Sequence, residues 1–450
     1  MAGANVRESQ SDPRPDGVPL SHPTPTQAPA AAPLPSILPL WQLLFCGAFV
    51  VTLSMGIRHG FGLWLQPICM ERGWSRESYS FALAIQNLMW GAAGPLVGWW
   101  ADRKGATSPL WLGALLYAAG LWGMASSTSL TLFTLSTGVL IGCAQACSTY
   151  AVIYGVIGRH VSAQQRSWAM GITAAAGSFG QFLMVPLSST LIAGVGWQAA
   201  LWALAGTALL IVPLAWGLRA DRPTPPPAVS ASQPDRATAI DPHGPNSALG
   251  ALREALTHPS YQLLTAGYFV CGFQLAFIGV HLPSYLKDHA LAPTVATTAL
   301  ALIGLFNIFG TYGIGWLGQR WSKPYLLSAI YALRAVAMLA FIATPPTALS
   351  VSLFAAAMGV LWLSTVPPTN AIVAQMLGVR HLSMLGAVVF LSHQLGSFCG
   401  VWLAGHLYDL TGSYQVVWWI AIALGVTAAV LNLPVREHQP PKGRLGATPA

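Results

Sequence analysis

Charged side chains are scarce in this sequence. Asp, Glu, Lys and Arg make up 8% of its 450 residues, whereas a soluble domain usually carries about a quarter. A soluble fold of this length would need polar surface that the chain does not have. The scarcity therefore excludes an ordinary globular protein, and the 54% of apolar residues fits a chain surrounded largely by lipid.

Acidic residues and cysteines are also few. All 13 acidic residues fall in predicted tails, loops or helix ends, so no group of buried carboxylates indicates hydrolytic chemistry. The six cysteines lie in or beside apolar segments, which favours packing over disulfides. Cys143 and Cys147 lie one helical turn apart without a further ligand in their segment, so we expect no metal. We predict that the protein is not an enzyme and needs no cofactor.

Apolar runs long enough to cross a bilayer, about 20 residues each, fill most of the chain. They predict an all-α membrane protein with twelve transmembrane helices. The predicted helices are 41–65, 79–100, 109–126, 130–157, 168–193, 198–218, 261–285, 295–317, 325–343, 348–376, 383–407 and 415–433. Two six-helix halves result, 38–218 and 260–435. We expect residues 1–37 to be a disordered tail, 219–259 a polar, Pro-rich linker, and 436–450 a second tail.

Basic residues occur singly between the apolar runs, so the net charge of +8 does not indicate a nucleic-acid partner. Their distribution predicts the orientation, because Lys and Arg concentrate in cytoplasmic loops. With both termini and the linker cytoplasmic, the external segments hold only Arg72, Arg76 and Lys287. The cytoplasmic segments hold Arg7, Arg14, Arg103, Lys104, Arg159, Arg166, Arg219, Arg222, Arg236, Arg253, Arg320, Lys323, Arg380, Arg436, Lys442 and Arg444. This asymmetry predicts a multi-pass protein of the plasma membrane, or the inner membrane in a bacterium.

The two predicted halves repeat a local pattern. Gly98-Trp-Trp-Ala-Asp102-Arg103-Lys-Gly105 follows the second predicted helix, and Gly315-Trp-Leu-Gly-Gln-Arg320 follows the eighth. Parallel six-helix repeats are an architecture of membrane transporters.

The segment Gly98-x-x-x-Asp102-Arg103-x-Gly105 resembles the loop signature of the major facilitator superfamily. The resemblance implies a twelve-helix fold of two pseudo-symmetric halves and gives these four residues a part in the conformational change. Patterns elsewhere resemble the monocarboxylate and oxalate transporter branch of that superfamily. They are Gly73-Trp74-Ser75-Arg76, Gly171 with Gly177, Gly180 and Pro186, Gly196-Trp197, and Tyr408-Asp409-Leu-Thr411-Gly412-Ser413-Tyr414. This closer resemblance implies a small organic anion as the substrate.

The chain departs from that branch in the eighth predicted helix. Animal carriers of the branch hold an Asp and an Arg four residues apart there, and this sequence has Asn307 and Thr311. In the first helix, the Lys of the family falls near Arg58 and His59 by spacing back from Trp74. The bacterial oxalate carrier keeps a cation where His393 lies in the eleventh helix.

Ionisable residues inside the predicted helices are the first candidates for a site. A charge at a helix centre costs roughly 2.5–3.5 kcal/mol, so such groups usually face the bundle interior. Arg58, His59, Arg334 and His393 lie within helices without an acidic neighbour, and a substrate anion would be a partner for a buried Arg. The alternatives are structural. Arg58 then bonds carbonyls or reaches outward, His59 packs, and Arg334 ties the ninth helix to its neighbours.

Four amides complete the candidate set. Asn87, Gln145, Asn307 and Gln394 lie in apolar helices and need hydrogen-bond partners, either across helices or along a substrate pathway. His393 is a candidate substrate or proton group, because histidine titrates near neutral pH.

Three further features of the sequence have no predicted role in binding. We place His281 near the outer face and His406 near the inner face, both mainly interfacial. Pro367, Pro368 and Asn370 predict a kink in the tenth helix.

The sequence therefore predicts a secondary transporter of a small organic anion, a monocarboxylate. We expect it to work as a monomer by alternating access around a midplane site. Uniport and proton symport both remain open. A drug or metabolite exporter of the same fold is the alternative. Its members usually carry a Gly-Pro with paired glycines in the fifth helix, where this chain has Gly177-Ser-Phe-Gly180 and a later Pro186.

Overall fold

A computed structural model describes residues 38–221, 248–377 and 382–437, and these residues form helices joined by short turns. The predicted tails lie almost wholly outside the described residues, as do residues 222–247 of the predicted linker.

The first half of the chain folds as a series of helices that begins at Leu40. They are α1 Leu40–His59, α2 Leu65–Arg72, α3 Arg76–Lys104, α4 Thr107–Ser126, α5 Leu130–Phe133, α6 Ile141–Ser148, α7 Tyr150–His160, α8 Ala163–Leu209 and α9 Ile211–Gly217. A 3-10 turn, Phe61–Trp64, joins α1 to α2, and a π-helical stretch, Thr134–Leu140, joins α5 to α6. The backbone of α8 breaks at Gly196, whose φ of 82° lies outside the helical range.

The second half follows the same plan. Its helices are α10 Ala248–Thr257, α11 Pro259–Asp288, α12 Pro293–Leu317, α13 Lys323–Ile342, α14 Ala348–Leu361, α15 Val366–Leu377, α16 Leu382–Thr411 and α17 Gln415–Asn432. Among the described residues, nine helical stretches are long and apolar enough to cross a membrane, and one of them, Trp168–Gly217, is 50 residues long.

The structure adds two details to the sequence interpretation. Residues 248–257 of the predicted linker form the helix α10. The tenth predicted helix is interrupted over residues 362–365, ahead of its prolines, and Pro367 and Pro368 lie in the first turn of α15. Proline is well tolerated in a first turn because the N–H that it lacks has no helical partner there.

Glycines allow the closest helix contacts, and they occupy matching places in the two halves. A Cβ at Gly180 of α8 would collide with the backbone of Thr52 in α1. A Cβ at Gly272 of α11 would collide with the backbone of His393 in α16, and one at Gly396 with that of Phe269. Small residues at such crossings let helices associate through dense packing where lipid removes the hydrophobic driving force.

The bundle has two ends, which we name the terminal end and the far end. The terminal end is where α1 begins and α17 ends, and the far end is where α2 and α11 end. The halves separate toward the terminal end. A Cβ at Gly91 of α3 would lie 3.0 Å from the side chain of Gln394, whereas Gly98, two turns later on the same face, has nothing within 4 Å.

The same separation is seen between α8 and α12. A Cβ at Gly304 would contact Ser178 and Phe182 at 2.9 Å, whereas Gly315, three turns toward the terminal end, has nothing within 4 Å. The structure is therefore open between the halves at the terminal end and packed from the middle of the bundle to the far end.

Candidate functional site

The first membrane span is Leu40–Arg72, which ends later than the predicted helix 41–65. Arg58 therefore lies near the middle of this span. Its Nη2 donates to Asn87 Oδ1 at 2.7 Å, and its guanidinium lies 4.7 Å from the centre of the Trp90 ring. Its buried Nε has no hydrogen-bond partner among the described residues. The ion pairs formed by the described residues involve other cations. Arg58 is thus a cation held by neutral groups with a donor to spare.

Three neighbours of Arg58 complete its surroundings. The hydroxyls of Tyr117 and Tyr150 lie close enough to act on it electrostatically. His59 turns back to its own helix, where Nδ1 lies 2.6 Å from the carbonyl oxygen of Met55.

A chain of aromatic rings links Arg58 to the second half. The ring of Trp90, which covers Arg58, lies 5.3 Å from that of Phe390 in α16, edge to face. Phe390 in turn stacks on His393 at 6.0 Å. Gln394, next along α16, packs against Gly91, one residue from Trp90. The structure therefore brings Arg58, Asn87, His393 and Gln394 to one region where the halves meet.

Gln394 resembles Arg58 in having an unused donor. It is fully buried, its Oε1 lies 3.2 Å from His393 Nδ1, and its Nε2 has no partner among the described residues. Gln394 and Arg58 thus present spare hydrogen-bond donors from opposite halves.

Arg334 belongs to a different environment, deep in the second half. It is fully buried in α13, and its Nε donates to the carbonyl oxygen of Leu361 at 3.1 Å. Its Nη2 donates to the carbonyls of Leu361 and Trp362, which are the groups left free where α14 ends. Its Nη1 lacks a partner among the described residues, and Cys271 of α11 lies within its electrostatic reach. These contacts tie α13 to the interruption between α14 and α15.

Gln145 and Asn307 join helices. Gln145 Nε2 lies 3.4 Å from Gln86 Oε1 within the first half. Asn307 Nδ2 donates to Ser178 Oγ at 2.8 Å, and its Oδ1 accepts from the backbone of Leu363 at 3.0 Å, so Asn307 links the halves and the α14–α15 interruption. Among the described residues, the hydrogen bonds of Gln145 and Asn307 go to partners other than Arg58.

The signature segment at the end of α3 forms a polar network at the terminal end. Arg159 of α7 bonds Asp102 at 2.9 Å and Asp221 at 2.8 Å. Asp221, which follows α9, also accepts from the backbone N–H of Ala106 at 2.9 Å and lies 2.9 Å from His160. Burial alone would raise the pKa of the Asp221 carboxyl, but these bonds, chiefly those from Arg159, outweigh burial and hold the pKa below its usual value.

Two other signature residues, Arg103 and Gly105, have packing contacts at the same end. Arg103 stacks on Trp99 at 4.1 Å. Gly105 has a φ of 82° and approaches the backbone of Asp221 so closely that a side chain would clash. The network therefore fastens the end of α3 to the ends of α7 and α9 inside the first half.

The far end joins the two halves through charged and polar groups. Arg76 at the start of α3 forms two bonds of 2.7 Å with Asp288 of α11 and one of 2.9 Å with Tyr414. Asp409 of α16 accepts from the backbone of Arg76 and of Glu77 at the first turn of α3.

Two histidines at the far end correct the sequence interpretation. His281 is fully buried, within 3.3 Å of Ser80, rather than interfacial. His406 Nδ1 lies 3.1 Å from a carboxylate oxygen of Glu77, so His406 lies at the same end as His281 and not at the opposite face. The helix α16 runs from the terminal end to the far end, and His406 lies in its last turns, so His406 lies at the far end.

The sequence analysis missed the aromatic residues that surround Arg58. Trp90, Phe390 and Tyr117 are apolar-run residues without charge, and aromatic residues are frequent throughout this chain. Trp90 and Asn87 are three residues apart and so share a helix face, which is the one signal that could have joined Trp90 to the candidate set.

Known proteins similar to this chain are membrane transporters. Residues 44–371 match the Major Facilitator Superfamily. Monocarboxylate transporter 13 of Rattus norvegicus is 26% identical over 401 residues, 88% of this chain and 89% of that protein. The uncharacterized MFS-type transporter YcxA of Bacillus subtilis is 23% identical over 409 residues, 89% and 96% of the two chains.

The fold also resembles a solved structure. A bacterial homolog of the human lysosomal transporter Spinster, in an inward-facing and unoccupied conformation, superposes with a TM-score of 0.64 at 15% identity, over 88% of this chain and 94% of that one. The matched family extends over the helices that carry Arg58, the signature segment and the α8–α12 contact. The chain therefore belongs to the Major Facilitator Superfamily, and its sequence is similar to those of monocarboxylate transporters.

Proposed function

We propose that this transporter carries a small organic anion, a monocarboxylate, by secondary active transport. The observation that carries the proposal is Arg58, a half-buried cation held by Asn87 and Trp90 with an unused Nε. A guanidinium in a low-dielectric interior gains most from an anionic partner, and a carboxylate fits its planar fork. The named relatives, monocarboxylate transporters, support the same substrate class.

Alternating access is the mechanism in this proposal. The substrate binds between the halves near Arg58 and Gln394, and the halves then rock to open the other end. The described state, open at the terminal end, is one of the two states that this cycle requires. Arg58 supplies the charge from the first half, and Gln394 a neutral donor from the second.

In this proposal a proton accompanies the anion on His393. The imidazole lies against Tyr268 at 5.1 Å between ring centres and beside Gln394, at the meeting of the halves. Histidine is the side chain whose ordinary titration range includes neutral pH.

The proposed topology has twelve crossings, with both termini cytoplasmic and the terminal end facing the cytoplasm. Support comes from α3 and α4, which are 29 and 20 residues long, and from the Trp168–Gly217 stretch, which is long enough for two crossings on either side of Gly196. The sixteen basic residues assigned to cytoplasmic segments support the orientation. We place the protein in the plasma membrane, or the inner membrane of a bacterium, as a monomer.

Uptake into proteoliposomes tests the substrate and the coupling together. We expect labelled monocarboxylates to accumulate faster with an inward proton gradient, and His393→Ala to abolish that stimulation. His289→Ala is the control, because His289 is exposed and bonds within its own helix end at 2.8 Å. Transport of cationic or neutral drugs without carboxylate uptake would instead establish the exporter alternative.

A further inference from the structure

A second pocket lies at the terminal end of the second half, away from Arg58. Its volume is about 640 Å³, and it is open to the surface. Residues 318–325, which include the turn between α12 and α13, form one wall. The other wall, after α17, is formed by Leu433, Val435, Arg436 and Glu437. Both segments lie just beyond the ends of membrane-length helices, which is the depth of lipid headgroups.

The lining of this pocket is basic. Arg320, Lys323 and Arg436 supply three cations and Glu437 one carboxylate, which leaves a formal charge of +2. Glu437 is already engaged, because it pairs with Lys323 Nζ at 3.1 Å and accepts from Ser322 at 2.8 Å. Arg320 and Arg436 are exposed and form no ion pair among the described residues.

An aromatic ring restricts the position of one of these cations, Arg320. The guanidinium of Arg320 lies 4.2 Å from the centre of the Trp316 ring, so its position is restricted before any ligand binds. Trp321 and Tyr325 in the same lining are 65% and 63% exposed. Exposed aromatic rings at helix ends are typical of side chains that lie among lipid headgroups.

We propose that this pocket binds the phosphate headgroup of an anionic phospholipid. Arg320 and Arg436 bond the phosphate oxygens, and the rings of Trp321 and Tyr325 contact the glycerol and the start of the acyl chains. Basic pockets of this kind between membrane helices suit acidic headgroups. A zwitterionic headgroup carries a positive group beside its phosphate, and the positively charged lining repels that group. We therefore expect zwitterionic lipids to bind more weakly than anionic ones.

The first half offers a matched control. Arg103 stacks on Trp99 at 4.1 Å, at the place in the sequence repeat that corresponds to Arg320 on Trp316. Arg103 is absent from the lining of the pocket. Arg103→Gln therefore removes the same charge from the same kind of stack and leaves the pocket intact.

Lipid binding to the purified full-length protein tests the proposal. Phosphatidylglycerol is titrated against protein held in phosphatidylcholine nanodiscs, and bound lipid is counted by native mass spectrometry. We expect Arg320→Gln and Arg436→Gln each to weaken phosphatidylglycerol binding about fivefold, as losing one cation near an anionic headgroup does. Arg103→Gln should bind like the parent, and Arg320→Lys should retain most of the affinity.

Three results would overturn the proposal. An equal loss in Arg103→Gln would show that net charge, not this pocket, attracts the lipid. Equal binding of phosphatidylglycerol and phosphatidylcholine would remove the headgroup preference. Glycerol 3-phosphate binding as tightly as phosphatidylglycerol would identify a soluble phosphate ester as the occupant. Arg436→Gln keeps the test decisive if Arg320→Gln folds poorly.

Discussion

At the scale of single residues, the two arginines inside the bundle have opposite surroundings. Arg334 is fully buried, and its Nε and Nη2 donate to the carbonyl oxygens of Leu361 and Trp362. Arg58 bonds one side-chain amide oxygen, that of Asn87, where the halves meet. Each arginine has one buried donor without a partner among the described residues, Nη1 in Arg334 and Nε in Arg58, so the difference between them is their position. Arg334 satisfies a helix break and so contributes to folding, whereas Arg58 lies where the halves meet, which suits the binding role that we propose for it.

The first prediction follows from this contrast. Arg58→Gln should weaken monocarboxylate transport about tenfold to a hundredfold in affinity, because a charge-assisted hydrogen bond contributes about 1.5–3 kcal/mol. Arg58→Lys should recover part of the loss, since lysine keeps the charge without the planar fork. Substrate dependence of uptake in proteoliposomes measures both effects.

Arg334→Gln is the control for Arg58. We expect it to lower the yield of folded protein, because it leaves helix-end carbonyls unpaired in the interior. The assignment of the anchor to Arg58 is wrong if Arg58→Gln keeps its affinity while Arg334→Gln loses affinity at normal yield.

The sequence could identify Arg58 but not its neighbours. An arginine stands out in an apolar run because its charge must be accommodated. Trp90 and Phe390 do not stand out, and their contact depends on how α3 meets α16, which no local pattern encodes. Likewise the need of Arg334 for partners is visible in the sequence, but the identity of the carbonyls it bonds is not.

At the scale of elements, one carboxylate anchors a corresponding helix in each half. Asp221, after α9, accepts from the backbone N–H of Ala106 where α4 begins. Glu437, after α17, accepts from the backbone N–H of Lys323 where α13 begins. A carboxylate at a helix N-terminus binds free N–H groups and the positive end of the helix dipole. The sequence repeat showed similar helix ends in the two halves but not this bond.

The second prediction concerns Asp221 and pH. Its pKa is below the usual value, so its stabilising effect is complete above about pH 4, the ordinary range for Asp, and is lost as the pH falls through the lower folded-state pKa. Asp221→Asn should therefore unfold at a lower temperature than the parent at pH 7. The difference should shrink below about pH 4. Thermal unfolding of detergent-solubilised protein across this pH range provides the measurement.

Asp102→Asn is the matched control for Asp221. Asp102 binds the same Arg159, but its side chain is 70% exposed, whereas that of Asp221 is buried. We expect a smaller loss from Asp102→Asn, because water screens an exposed ion pair. Equal losses in the two variants would contradict the view that Asp221 is the anchor.

Element boundaries show where local patterns suffice. The predicted start of the eighth helix, 295, lies close to the start of α12 at Pro293, because helix length and apolarity are local properties. The helix α10 cannot be recognised from the sequence, because it is short and follows a polar, proline-rich segment. The kink predicted from Pro367 and Pro368 corresponds to the interruption at 362–365, directly ahead of these prolines. Arg334 and Asn307 bond the carbonyl and amide groups of that interruption from other helices, and the sequence does not show these bonds.

At the scale of the whole molecule, the two ends differ in which parts their polar bonds join. Those described at the far end join the two halves, and those described at the terminal end lie within one half. At the far end, Arg76 of the first half bonds Asp288 and Tyr414 of the second and stacks on Tyr408 at 3.7 Å. At the terminal end, Arg159 bonds Asp102 and Asp221 within one half. Bonds across the halves stabilise one state of the transporter, whereas bonds inside a half move with it. The far-end bonds therefore favour the state that is closed at the far end.

The third prediction is that Asp288→Asn opens the far end more often. Ser284 of α11 is 2% exposed, and its carbonyl accepts from Gln66 of the other half at 3.4 Å. A cysteine at position 284, with the native cysteines replaced, reports opening through its rate of labelling by a membrane-impermeant maleimide. We expect Asp288→Asn to raise this rate roughly fivefold, since a partly exposed ion pair contributes up to about 1 kcal/mol.

Glu437→Gln is the matched control for Asp288→Asn. It removes a similarly shielded carboxylate, with 14% of its side chain exposed against 25% for Asp288, but its partner Lys323 belongs to the same half. Its labelling rate at position 284 should equal that of the parent. If both variants label faster than the parent, loss of a carboxylate loosens the protein generally. If neither labels faster, the Arg76–Asp288 pair does not set the balance of states. If only Asp288→Asn labels faster, the far-end contact stabilises the closed state, because a bond shifts an equilibrium only when it differs between the two states.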